Sequence, residues 1–160
     1  PAAPIAITIA GAVAKAKGSR HKSKFIDKLA FGTYNKKVEN PATPFDWLTS
    51  DPDEVQKYIA DKYCGFLFTA AGYKDLFTVL NRVSGKEQVY EGLPIFLIAG
   101  EDDPVGQYGA GVKQVYNDLK LAGKKDVTLK LYPHMRHEIL NEVGKDEVYN
   151  DIAAWCAKKI

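Results

Sequence analysis

A run without one polar side chain, Leu93-Pro94-Ile95-Phe96-Leu97-Ile98-Ala99, closed by Gly100, constrains this chain more than any other feature. A strand that is apolar at odd and even positions alike needs cover on both faces, as in a parallel sheet layered with helices. The residues downstream of Gly100 fit that demand. A helix is predicted from about Gln107 to Leu121, with Val112, Val115, Tyr116 and Leu119 on one stripe and Gly123 as its stop. Then comes Val127-Thr128-Leu129-Lys130-Leu131-Tyr132, whose alternation suits a strand nearer a sheet edge. A last helix is predicted from near Asp146 through Val148, Ile152 and Trp155, with Lys158 and Lys159 complementing its dipole. Strand, helix, strand, helix is the order of a parallel α/β layer. Two such strands leave ladder groups unpaired, so the remaining strands are expected from elsewhere.

Residues 1–90 read differently, as helical patterns separated by Pro, Gly and Asn, with no convincing strand. Ser50-Asp51-Pro52-Asp53-Glu54 signals a helix start, and the helix is expected to reach about Tyr63. A second helical stretch from Phe66 to Val83 carries Phe66, Phe68, Tyr73 and Phe77 among its large apolar residues. The apolar opening, 1–14, lacks a basic leader and falls short of the roughly 20 residues a membrane span needs. A first residue other than Met suggests truncation upstream.

Composition excludes more than it assigns. With 46% hydrophobic and 26% charged residues the chain is of ordinary globular type, and its 22 basic and 20 acidic residues are spread without a basic stripe. Nucleic acid is therefore excluded as an expected partner. Cys64 and Cys156 lie far apart in apolar surroundings without metal-ligand spacing, and are expected as buried free thiols in a reducing, cytoplasmic compartment.

The chemistry sits just past the two strands. Gly100-Glu101-Asp102-Asp103-Pro104-Val105-Gly106 puts three carboxylates at the C-terminal end of the first, where open α/β sheets assemble their sites. Pro133-His134-Met135-Arg136-His137-Glu138 puts two imidazoles in the equivalent loop of the second. A carboxylate beside an imidazole is what nucleophilic acyl transfer requires: histidine takes a hydroxyl proton while the acid fixes its tautomer. An acidic trio with Glu138 also has the donors for a hard cation such as magnesium, although no phosphate-cradling loop accompanies it. His134 reads as an exposed or supporting side chain rather than a second base.

The stretch 93–106, followed by Leu131-Tyr132-Pro133 and Arg136-His137-Glu138-Ile139-Leu140-Asn141-Glu142, resembles the end of the bacterial lysophospholipase and monoacylglycerol lipase family, also grouped as serine aminopeptidase-like hydrolases. The likeness extends to Gly18-Ser19-Arg20-His21, Phe31-Gly32-Thr33-Tyr34-Asn35 and Phe45-Asp46-Trp47-Leu48, which are similar to that family's cap insertion. It implies an α/β-hydrolase fragment: a helical cap over 1–90 and, over 91–160, the last two βα units of a mostly parallel sheet. It implies Asp103 as the triad acid, with Asp102 its competitor, and His137 as the base. His134 departs from the family, which commonly has glycine there. The implied substrate is a lipid-like carboxylic ester, with no cofactor, no metal and at most peripheral membrane contact. Phe66, Phe68, Tyr73 and Phe77 are expected either to line an acyl-chain pocket or simply to pack the cap.

No Gly-x-Ser-x-Gly occurs in these 160 residues, so the nucleophile elbow is expected on a remaining N-terminal half of the core, and this chain alone is expected to be inactive. The alternative is a non-catalytic binding module that retained the architecture.

Overall fold

The computed structural model describes residues 2–83 and 92–159. They fall into two compact units, one made of 2–33 with 65–83 and the other of 34–64 with 92–159. The boundary expected at residue 90 lies outside the described residues. Residues 34–64 pack within the second unit, so compactness divides the chain differently from the order of its sequence patterns.

The first unit is helical: α1 (Ala2–Lys17), α2 (Lys24–Phe31) and α4 (Ala70–Val83). Small residues let helices approach closely, and Ala10 of α1 and Ala70 of α4 are fully buried beside Ile26 and Tyr73. Ser23 caps α2, its hydroxyl accepting the Ile26 N–H at 3.3 Å. The helix expected from Phe66 starts later, at Ala70. There the Thr69 hydroxyl accepts the Gly72 N–H at 3.1 Å, and the Ala70 N–H is committed to the His21 carbonyl at 2.8 Å. Phe66 and Phe68 therefore precede the helix instead of lying on it.

The second unit contains α3 (Pro52–Ala60), β1 (Ile95–Gly100), α5 (Ala110–Leu121), β2 (Val127–Tyr132) and α6 (Lys145–Ala157), with short 3-10 turns over Tyr34–Lys37 and Ile139–Asn141. Asp51 caps α3 through the N–H groups of Asp53 and Glu54, as its sequence signals, but the helix stops at Ala60 rather than Tyr63. β1 and β2 pair in parallel, Ile95 opposite Val127 through Gly100 opposite Tyr132. Among the described residues β1 has this one neighbour, and Ile95 to Ile98 are only half-buried despite their apolar run. On α6, Trp155 stacks on Phe96 with ring centroids 5.4 Å apart.

The helix expected from Gln107 begins at Ala110. Gln107, Tyr108 and Gly109 all have positive φ, at 54°, 55° and 81°, a left-handed run that cannot join a right-handed helix. Below the strand ends, Tyr132, Met135, Ile139 and Val148 form the unit's apolar core. The Tyr132 hydroxyl donates to Asp151 at 2.9 Å, and burial followed by that carboxylate pushes its pKa up to about 12. The two cysteines are free, but neither is buried as expected: Cys64 is half-buried and Cys156 exposed. Cys156 follows Trp155 on α6, and it is the indole that turns inward onto β1. Among the described residues no helix is long and apolar enough to cross a membrane.

Candidate functional site

Gly100 makes the site possible. A Cβ there would stand 2.1 Å from the Met135 carbonyl oxygen and 2.3 Å from that of Arg136. Only glycine lets the loop after β2 cross so close over the end of β1. The two chains stay tied beyond the strands, with Glu101 N–H donating to Tyr132 O and Asp102 N–H to Met135 O, both at 2.9 Å. The crossing loop turns at His134, whose φ of 61° is the left-handed conformation glycine adopts most cheaply. The position where the resembled family has glycine thus keeps a glycine-like backbone while carrying an exposed imidazole.

Past this turn, His137 meets Asp103. Nδ1 of His137 lies 3.2 Å from Oδ1 of Asp103, while Asp102 is exposed and makes no such approach. Asp103 is 6% exposed. Burial acts to raise its pKa, but the His137 bond and the N–H groups of Val105, at 2.8 Å, and Gly106 outweigh it and hold the carboxyl below its usual range. The His137 pKa moves the other way, raised chiefly by its hydrogen bond to Asp103 against an opposing contribution from burial. An ionised carboxylate can only accept, so Nδ1–H donates, and in the neutral imidazole Nε2 keeps its lone pair.

Two aromatic rings flank the pair. Trp47 lies on the imidazole, centroids 5.3 Å apart at 41°, and Tyr34 meets Trp47 edge-on at 4.9 Å. Burial, then the neighbouring Asp103 charge, raises the Tyr34 pKa. The backbone beneath is bound to the same segment: His137 N–H donates to Trp47 O at 3.4 Å and Glu138 N–H to Leu48 O at 2.6 Å. Arg136 Nη1 donates to the carbonyls of Asp46, at 2.6 Å, and Thr49, at 3.0 Å. Beside Arg136 opens a cavity of about 290 Å³ bounded also by Tyr34, Lys37, Asp102, Tyr108 and His134.

The family resemblance picks out Asp103 and His137 from the two loops, and the structure sets these two side chains beside each other. The sequence does not single out Tyr34, Arg136 or Glu142 as individual residues. Trp47 stands within a family-like motif, but nothing local signals its contact with an imidazole 90 residues away. The expected acyl-pocket residues belong to the helical unit. Phe66, Phe68, Tyr73 and Phe77 form a continuous series of ring contacts, with centroids 5.4, 5.4 and 6.0 Å apart in order. Phe66 and Phe68 are exposed, whereas Tyr73 is buried in that unit's core with its hydroxyl on Asp27 at 2.6 Å. Among the described residues no three or more His, Cys, Asp or Glu side chains converge as a metal site would require.

Comparison with known proteins places the fold. The family model described as serine aminopeptidase, S33, matches residues 3–144. A thermostable carboxyl esterase from Bacillus coagulans is similar in structure, with a TM-score of 0.83 and 30% identity, covering 99% of this chain and 53% of that protein. A lipase in its open form gives a TM-score of 0.82 at 22% identity, covering 94% of this chain and 50% of the lipase. The monoglyceride lipase of Saccharomyces cerevisiae gives 0.56 at 20% identity, over 95% of this chain and 46% of the enzyme. These neighbours share the α/β-hydrolase fold, and the chain spans about half of their length.

Proposed function

Because this chain belongs to the serine aminopeptidase (S33) family of α/β-hydrolases, we propose that it supplies the acid and base of a Ser-His-Asp carboxylic ester hydrolase whose nucleophile lies outside these residues. The observation that carries the reading is the 3.2 Å contact between Asp103 and His137 Nδ1, which leaves Nε2 as a base. A serine hydroxyl presented to Nε2 gives up its proton as its oxygen attacks the ester carbonyl. The imidazolium so formed is stabilised by the buried Asp103 carboxylate, then returns the proton to the leaving alkoxide as the acyl–oxygen bond breaks. Water, activated by the same nitrogen, releases the acid and restores the serine. The residues need no cofactor for these steps.

Lipid-like esters, of the lysophospholipid or monoacylglycerol kind, are the substrates we propose. Similarity to a carboxyl esterase and to a monoglyceride lipase supports that class, and exposed Phe66 and Phe68 offer rings for an acyl chain. A helical cap over 1–90, a cytoplasmic setting and a remaining N-terminal half of the core belong to the same reading. The test is fluorophosphonate labelling of the intact protein, followed by hydrolysis of p-nitrophenyl esters from acetate to laurate. Labelling lost in His137→Ala, with a preference for longer acyl chains, is expected. An unlabelled wild type would refute the enzyme and favour a non-catalytic binding module.

A further inference from the structure

Glu142 has a buried carboxylate, 1% exposed, that the triad chemistry does not use. A charge in that setting is costly unless its oxygens are fully bonded. Those of Glu142 are: they accept the Arg136 N–H at 2.8 Å, the Ser50 N–H at 3.0 and 3.1 Å, and the Ser50 hydroxyl. One donor adjoins the base, and the others end the segment that holds Trp47. The Thr49 hydroxyl adds a bond to Asn141 O at 3.0 Å.

The result is that three successive amides around the imidazole are all committed. Arg136 N–H goes to Glu142, His137 N–H to Trp47 O, and Glu138 N–H to Leu48 O. The ring itself is held at one edge by Asp103 and on one face by Trp47. Asp103 and Glu138 are the charges that bear on the His137 proton. The Glu142 carboxylate bonds to Arg136 N–H and Ser50 and not to the ring, so it reaches the imidazole through backbone and indole.

We propose that Glu142 is a positioning residue for the base: it fastens 46–50 to the loop after β2 so that Trp47 fixes the His137 ring against Asp103. The inference rests on the triad reading, with which it shares its kinetic assay but not its spectroscopic one. In the intact protein, with p-nitrophenyl butyrate as substrate, Glu142→Ala should lower kcat by about 10- to 100-fold with KM little changed, the scale of a small misplacement of a reacting group. The midpoint of the acid limb should fall as the bond to Asp103 loosens. Glu142→Gln, which keeps one acceptor oxygen, should recover part of the loss and stands in should the alanine variant not fold. Trp47→Leu should mimic Glu142→Ala, and the double variant should be little worse than the poorer single one.

A lowered Tm with kcat and midpoint unchanged, or fully additive losses, would overturn the proposal. If the wild type hydrolyses no ester, the triad reading fails by itself. The titration of ¹⁵N-labelled His137 then decides the positioning role: a midpoint lowered in Glu142→Gln and Trp47→Leu upholds it, and an unmoved one overturns it.

Discussion

The helical unit and the strand-containing unit bury different things. In the first, Ala10, Ile26, Ala70 and Tyr73 make an apolar contact between helices, with Ser23 as a buried polar cap. In the second, Asp46, Thr49, Asp103 and Glu142 are buried beside an apolar cluster of similar size. Buried polar groups are retained only where partners satisfy them. Here the partners are 34 residues away for Asp103 and His137, and 92 for Ser50 and Glu142. The helical unit is closed mainly by apolar helix contacts, with the Tyr73–Asp27 hydrogen bond beside them, and the other unit by polar bridges between distant loops. The candidate chemistry lies in the second.

The largest effect that can test this contrast falls on the bridge itself. In the intact protein His137→Ala should reduce kcat/KM by about 10⁴-fold or more, and Asp103→Asn should approach that loss because an amide can present the wrong partner to Nδ1. Steady-state hydrolysis of p-nitrophenyl butyrate measures both. If Asp102→Asn proved as damaging as Asp103→Asn, the geometry of the pair would lose its meaning.

Apolar packing should dominate when stability is read instead. Tyr73→Ala removes a buried ring and is expected to cost about 3–5 kcal/mol in chemical denaturation. Gly100→Ala should cost about 3 kcal/mol by driving its methyl into two carbonyl oxygens. Its distinguishing outcome is a disproportionate loss of activity, since the displaced loop bears His137. A Gly100→Ala variant of native stability would mean that the strand-end crossing is looser than its 2.1 Å approach implies.

These two substitutions also mark how far the sequence is legible. The parallel pair, the 127–132 strand and the final helix follow from apolar period and turn residues; place past the strands gives the carboxylate and imidazole clusters, and the family resemblance picks Asp103 and His137 from them. Periodicity fails where backbone conformation overrides it. Gln107 and Tyr108 lie within the stretch expected as helix but take left-handed φ, and Phe66 and Phe68 lie within another but precede the Thr69 cap. The polar bridges carry no local signal at all: Glu142 follows an asparagine in an ordinary 3-10 turn, and only the fold brings Ser50 to it. Trp47 reaches the imidazole by the same long-range closure.

A smaller loss is expected from one strut of that closure. Thr49→Ala removes a buried hydroxyl that donates to Asn141 O and accepts the Asp51 N–H at 3.1 Å, and should cost about 1–2 kcal/mol. The alanine variant should unfold at correspondingly lower denaturant with an unchanged slope. No shift would place the weight of the bridge on Glu142 and Arg136 alone.

The slightest effect is that of pH on stability through the pair. Asp103 is depressed in the folded protein, so its contribution is present above the unfolded value of about 3.9 and is lost as pH falls through the folded one. His137 is raised, so its contribution is full below about 6.5 and is lost as pH rises through its folded value. Together they favour a window between roughly pH 4 and 6.5, shallower than the Thr49 effect because the imidazole is 38% exposed to solvent screening. Activity should run against stability across the upper edge of that window, because the base works only when neutral. The acid limb of kcat/KM should have its midpoint above 6.5, and Asp103→Asn should lower it as the stabilising bond is lost. A midpoint insensitive to Asp103 would show that the contact does not govern the proton on His137.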